Sequence, residues 1–286
     1  MTYRQITQLI PSRPASDGAG VKLLRNLGQT QAVRLDPFLM LDEFRSDQPE
    51  DYLAGFPPHP HRGFETVTYM LAGAMRHEDS LGNRGHLRAG DVQWMTAGAG
   101  IIHAEMPEQE NGLMHGFQLW INLPAREKMA TPQYRDIPAA QIPVVALQGG
   151  EVRVIAGDLT LAGQPVRGAV SGISRQPLYL DVALEAGATF GTSLPATHNV
   201  LVYVFEGEVI LGGRTVASGH SAVLGEGDGV HVEAGTAGGR FLLLAAEPIG
   251  EPIAQYGPFV MNNPAEIEQA LEDYRHGRLA HQPEVH

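Results

Sequence analysis

Residues 64–71, Phe64-Glu-Thr-Val-Thr-Tyr-Met-Leu71, alternate with a two-residue period and are rich in β-branched and aromatic side chains, as a strand requires. Ala72-Gly73 ends the run as a turn. Short runs follow at 92–95, 101–106 and 115–123, each bounded by Gly, Asn or Pro. A second series begins near 152, with strand patterns at 152–155, 178–184, 200–205, 208–211 and 241–246. Strands recurring about every ten residues predict an all-β sandwich or barrel. The stretch from 124 to 151 contains Pro, Gln and Ala with little periodicity and reads as a connector.

The two series share one local pattern. Tyr69-Met-Leu-Ala-Gly73 and Tyr203-Val-Phe-Glu-Gly207 each run from an aromatic residue into a glycine turn followed by a strand, which suggests an internal duplication. One helix is signalled, near the C-terminus. Asn263 suits its N-cap, Pro264 the first helical position and Glu266 the carboxylate of a capping box. Ile267, Ala270, Leu271 and Tyr274 share one face, and Gly277 is the stop. A packing role is expected for it.

Composition narrows the functional classes. Of 286 residues, 43% are apolar and 18% charged, as in an ordinary globular protein. Thirty-four glycines and twenty prolines suit many turns. A net charge of −12 argues against a direct footprint on nucleic acid or an anionic membrane, but not against a protein partner. No stretch resembles a signal peptide or membrane span, and cysteine is absent, so a cytoplasmic location is expected. Any metal must be held by nitrogen and oxygen.

The densest chemistry lies in Pro57-Pro-His-Pro-His-Arg-Gly-Phe-Glu65. Side chains two apart on extended backbone face the same way, so His59 and His61 project together, with Pro60 stiffening the segment between them. His103 and Glu105 in Ile101-Ile-His-Ala-Glu-Met106 repeat the spacing. Two such pairs on adjoining strands would converge as three imidazoles and one carboxylate. That set suits iron(II), and also manganese, nickel, copper or zinc. Glu65 is the rival carboxylate. On a continuous strand it would stand roughly 13 Å beyond His61, against about 7 Å from His103 to Glu105, which favours Glu105. A bend at Arg62-Gly63 could return Glu65 to the site, so distance leaves both open. Glu65 would otherwise be an exposed or hydrogen-bonded strand residue, or would orient a ligating histidine.

His77, His86 and His115 read as polar strand or turn residues. His198 and His231 lie in a second half without a ligand pair, which is therefore expected to be metal-free, and His281 and His286 belong to a polar tail. No nucleophile elbow, P-loop or dinucleotide fingerprint is present. Ala97-Gly-Ala-Gly-Ile101 reads as a tight turn that places the His103 strand.

Pro58-His-Pro-His-Arg-Gly-Phe-Glu-Thr-Val67, Gly90-Asp-Val-Gln-Trp-Met-Thr-Ala-Gly98 and Ile102-His-Ala-Glu-Met-Pro107 closely resemble the pirins, a branch of the cupin superfamily. So do 35–44 and the 250–262 stretch. The resemblance implies an all-β bicupin, two jelly-roll type β-barrel domains facing each other, with a short C-terminal helix. The expected division is a metal-binding cupin at 1–125, a connector at 126–151, a metal-free cupin at 152–248, and a segment at 249–286 packing back on the first domain. It implies one divalent metal, Fe(II) first, on His59, His61, His103 and Glu105, the carboxylate coming from the second pair. It further implies quercetin 2,3-dioxygenase-like activity, with a flavonol and O2 as substrates and Glu105 taking the flavonol proton. The resemblance also carries an alternative, a metal- and redox-dependent regulator that grips a protein partner. A zinc isomerase-type cupin is a third reading.

Overall fold

The computed structural model describes residues 1–161 and 163–280; His281 and His286 lie outside the described residues. Strands dominate, and Pro264–Arg275 is the sole α-helix among the described residues. The chain forms two compact units. The first holds 14–28, 38–139 and the segment from 249 on, and the second holds 1–13, 29–37 and 140–248.

The first unit has a seven-stranded sheet in the order Gln133–Ile137, Val92–Thr96, Phe64–Ala72, Met114–Asn122, Phe38–Ser46, Val21–Leu27, Arg13–Asp17. A four-stranded sheet completes it, in the order Phe56–His61, Ile101–Pro107, Ala74–Asp79, Arg84–Arg88. Phe64–Ala72 is buried along most of its length. This explains why polar Glu65, Thr66 and Thr68 sit in a strand that also buries Val67 and Tyr69.

The second unit repeats the order. Its main path runs Ile6–Pro11, His220–Leu224, Asn199–Leu211, Gly229–Ala246, Leu178–Leu184, Gly150–Ala156, Val144–Leu147. The two strands matched by the Tyr-to-Gly pattern, 64–72 and 199–211, occupy the same third place. Both tyrosines are buried, and Gly73 and Gly207 both take positive φ, 86° and 63°. The edge place is filled by 133–137 in the first unit and by the distant 6–11 in the second. Open edges remain in both units, so the jelly-roll type domains expected from sequence are present as sheets that do not close into full barrels.

The helix begins as its sequence predicts. Asn263 Oδ1 accepts from Glu266 N at 3.0 Å, and Glu266 Oε2 accepts from Asn262 N at 2.8 Å. Gly277 follows with φ 69°. Ile267 and Ala270 pack with Phe259, Met261 and Leu279 in the first unit. No helix among the described residues is long and apolar enough to cross a membrane.

Candidate metal centre

Strand parity builds the site. The 101–107 strand lies between 56–61 and 74–79, all antiparallel. Its register sets His103 opposite His59 on one side and opposite Asp79 on the other, with Ile101 opposite His61 and Glu105 opposite His77. Cross-strand partners share a face, as do residues two apart, so His59, His61, His77, Asp79, His103 and Glu105 all project from one side of the sheet.

Three of these imidazoles converge. His59, His61 and His103 each offer a ring nitrogen, and these atoms lie within 4.8 Å of one another. The ring centroids are 4.7 Å apart for His59–His61, 4.4 Å for His59–His103 and 4.8 Å for His61–His103. His61 and His103 are buried, yet Nε2 of His103 has no protein hydrogen-bond partner, and the His61 ring has none of good geometry, the Pro258 backbone being its one polar neighbour. Leaving such atoms unsatisfied costs about 1–3 kcal/mol each, a cost that a metal ion would remove. Burial, reinforced by the neighbouring imidazoles, holds both rings well below the usual histidine range. They are therefore neutral at pH 7, with lone pairs free, as ligation requires. His59 Nδ1 donates to the Pro57 carbonyl at 2.9 Å, which leaves its Nε2 as the ligating atom.

The turn that places His61 is held from several sides. The chain bends at Arg62-Gly63, and 56–61 and 64–72 belong to different sheets. Gly63 has φ 90°, and a Cβ there would collide with the Val260 carbonyl. Lys128 Nζ donates to the carbonyls of Gly63 and Val260 and to Asn122 Oδ1, each at 2.8 Å. Arg62 donates to Ala99 O at 2.5 Å and pairs with Asp273 of the helix at 2.9 Å. The helix thus braces the ligand segment. Phe64 and Trp120 pack edgewise on the His61 ring, at 5.1 and 5.3 Å.

The two candidate carboxylates part here. Glu105 is buried, and its Oε1 lies 2.8 Å from the Thr68 hydroxyl, which also meets the Gln118 side-chain oxygen at 2.6 Å. Glu65 lies on the opposite face of its strand from Phe64 and Thr68. Its Oε1 accepts from the Thr96 hydroxyl at 2.7 Å, and burial pushes the carboxyl up to about 7. The bend that kept Glu65 in contention does exist, but side-chain parity turns Glu65 away from the histidines. The three-histidine cluster contains neither carboxylate.

The sequence places His77 only among polar strand or turn residues and does not single out Asp79 or Thr68. His77 is fully buried, its Nδ1 lies 3.3 Å from His103 Nδ1, and its Nε2 lies 3.2 Å from Asp79 Oδ2. The signal available was the two-residue spacing of His77 and Asp79 in Ala-Met-Arg-His-Glu-Asp, the same parity that exposed the ligand pairs. His86 is exposed beside Glu108, and His115 is buried against Glu43 at 2.9 Å, so both serve local polar pairing.

Two jelly-roll units, one of them gathering three imidazoles of which two are buried, define a protein of the cupin class with a centre able to bind a metal. Residues 20–121 match the Pirin family, and residues 179–280 match the Pirin C-terminal cupin domain. The chain belongs to the pirin family. It is 53% identical to a Pseudomonas aeruginosa protein named "Putative quercetin 2,3-dioxygenase", over 97% of this chain and 99% of that one. It is 43% identical to human pirin, over 96% and 93% of the two chains. The crystal structure of quercetin 2,3-dioxygenase from Acinetobacter baumannii superposes with a TM-score of 0.89 at 34% identity, over 97% of this chain and 99% of that one.

Proposed function

We propose that this protein is a metal-dependent dioxygenase that opens the heterocyclic ring of a flavonol such as quercetin with O2, releasing carbon monoxide, in the cytoplasm. One observation carries the reading: buried imidazole nitrogens that lack well-formed protein hydrogen bonds converge in a chain 53% identical to a protein named for that activity. His59, His61 and His103 hold one divalent ion, iron(II) in the first instance, and Glu105 completes the set. Three neutral nitrogens and one carboxylate leave open positions on a six-coordinate ion. A metal in this place supplies Lewis acidity that lowers the pKa of an approaching hydroxyl.

The chain's own residues do the rest. Thr68 holds Oε1 of Glu105, so the second carboxylate oxygen receives the proton of the flavonol 3-hydroxyl. Phe64 and Trp120 shield the His61 ring from water. His59 and His103 each have Nδ1 tied back to other groups, which fixes ring orientation before substrate arrives.

The test is oxygen uptake and carbon monoxide release from quercetin by purified, iron-loaded protein. Turnover is expected in the wild type and none in His103→Ala. Loaded wild type that binds the ion but turns over no flavonol, or a metal-free His103→Ala protein with full activity, contradicts the proposal.

A further inference from the structure

The buried pair His77–Asp79 lies behind the ligand cluster on the same sheet face, and the proposed chemistry uses it only as the group that holds the His103 ring. We propose that Asp79 and His77 form a relay of fixed hydrogen-bond polarity that sets the tautomer of His103, presenting its Nε2 lone pair to the metal. The inference rests on the metal-centre reading and names the residues that prepare one of its ligands.

The polarity follows from the partners of Asp79. Its Oδ1 accepts from the backbone N–H groups of Leu81 and Asn83, at 2.9 and 3.0 Å. Its Oδ2 accepts from the Asn83 side-chain amide at 2.8 Å and faces His77 Nε2 at 3.2 Å. A carboxylate so surrounded by donors is an acceptor, so the proton between Asp79 and His77 sits on His77 Nε2. In the neutral ring, His77 Nδ1 then offers a lone pair. The atom 3.3 Å away, His103 Nδ1, must carry the proton that fills it. A neutral imidazole has only one such proton, which leaves His103 Nε2 bare.

Reasoning from the other end gives the same result. His103 Nε2 is the atom with no protein partner, and with Nδ1 facing His77 it is the nitrogen left for the cluster with His59 and His61. If it ligates, Nδ1 is protonated, and that proton needs the acceptor that His77 provides. Tyr134 stacks on His77 with centroids 4.5 Å apart and planes at 27°, which keeps the His77 ring in position. The side chains of His77 and Asp79 are both fully buried, so water does not compete for either bond. His77 and Asp79 are positioning residues: they touch no substrate, and they act through His103.

Two readouts test the relay. The first is the nitrogen-15 NMR spectrum of the imidazoles in metal-free wild type, with His103 assigned through His103→Gln. A bare Nε2 and a protonated Nδ1 are expected; the opposite tautomer overturns the relay. The second is nickel(II) affinity of folded variants by calorimetry. In Asp79→Asn the two backbone donors keep the amide oxygen at the Oδ1 place, which turns the NH2 toward His77. That reverses every bond in the relay and moves the His103 proton to Nε2. A 10- to 100-fold loss of nickel affinity accompanies the switch. His77→Leu loses a similar factor, and His77→Asn, whose amide oxygen can stand where Nδ1 stood, recovers part of it. Wild-type affinity and tautomer in Asp79→Asn overturn the proposal. Should wild type itself bind no nickel, the metal-centre reading fails, and the tautomer of the metal-free protein still decides the relay.

Discussion

The two units share a strand order and differ in what fills it. Matching Tyr69 with Tyr203 places Thr68 against Val202 and allows the sheets to be compared row by row. In the first unit the row through Thr68 reads Gln93, Thr68, Gln118, Asp42, Arg25 across five strands. In the second it reads Ala222, Val202, Leu243, Leu180, Val154. Every member of the second row lies in one continuous apolar cluster that includes Phe190 and Phe241. Leu211, the counterpart of His77 by the same match, lies there as well. Each such side chain contributes about 1.5–3 kcal/mol by burial. The first unit forgoes that along the row. In return its interior holds aligned polar groups, and its four-stranded sheet brings together three imidazoles able to hold a metal. One architecture serves as an apolar core in one unit and as the frame of a candidate site in the other.

The largest expected effect comes from importing the polar row. Leu180→Asp puts the counterpart of Asp42 into the second unit without the counterpart of Arg25, which bonds Asp42 at 2.7 and 2.9 Å in the first. An unpaired buried carboxylate there should cost about 4 kcal/mol or more, read as loss of the folded state in thermal denaturation. Unchanged stability would mean the second interior is not the tight apolar core described.

A smaller effect isolates Glu65. Burial lifts its carboxyl from the ordinary carboxylate value to about 7, so the folded state holds a proton that the unfolded chain has already released. Stability should therefore fall as pH rises from about 4.5 through 7, by about 3 kcal/mol in total, and stay low above that. Glu65→Gln should flatten this decline in denaturant titrations at pH 5 and pH 8 and leave metal affinity unchanged. A loss of metal in Glu65→Gln would return Glu65 to the ligand set.

The smallest effect has the opposite sign. His61→Phe replaces two buried nitrogens that lack well-formed hydrogen bonds with an apolar ring beside Phe64 and Trp120. The metal-free protein should gain about 1–2 kcal/mol, because the desolvated nitrogens cost stability when nothing binds them. Destabilisation on this substitution would show that His61 is structural.

Much of this contrast was legible in the sequence, since period-two alternation marks both a strand and which residues share its face. The 64–72 strand, the His59/His61 and His103/Glu105 pairs and the capped helix at 263–277 all follow from local rules. Strand pairing does not. Nothing local in residues 6–11 indicates that they border 220–224, and 133–137 alternates weakly because it is an edge strand with few buried positions. Glu65 was judged by distance along one strand, whereas the bend at Gly63 made the face of the next strand decisive. His77 reads from sequence only as a polar strand or turn residue, and Asp79 is not singled out, because their partner, His103, is a cross-strand neighbour, visible only once the register is known.

The central claim is that the three imidazoles of the first unit hold one metal ion. Metal content after dialysis against iron(II) or nickel(II), measured on wild type and on His61→Phe, tests it most directly. One equivalent per chain in wild type and none in the folded variant is the predicted result. Equal metal content in the two proteins, or none in wild type, would contradict it.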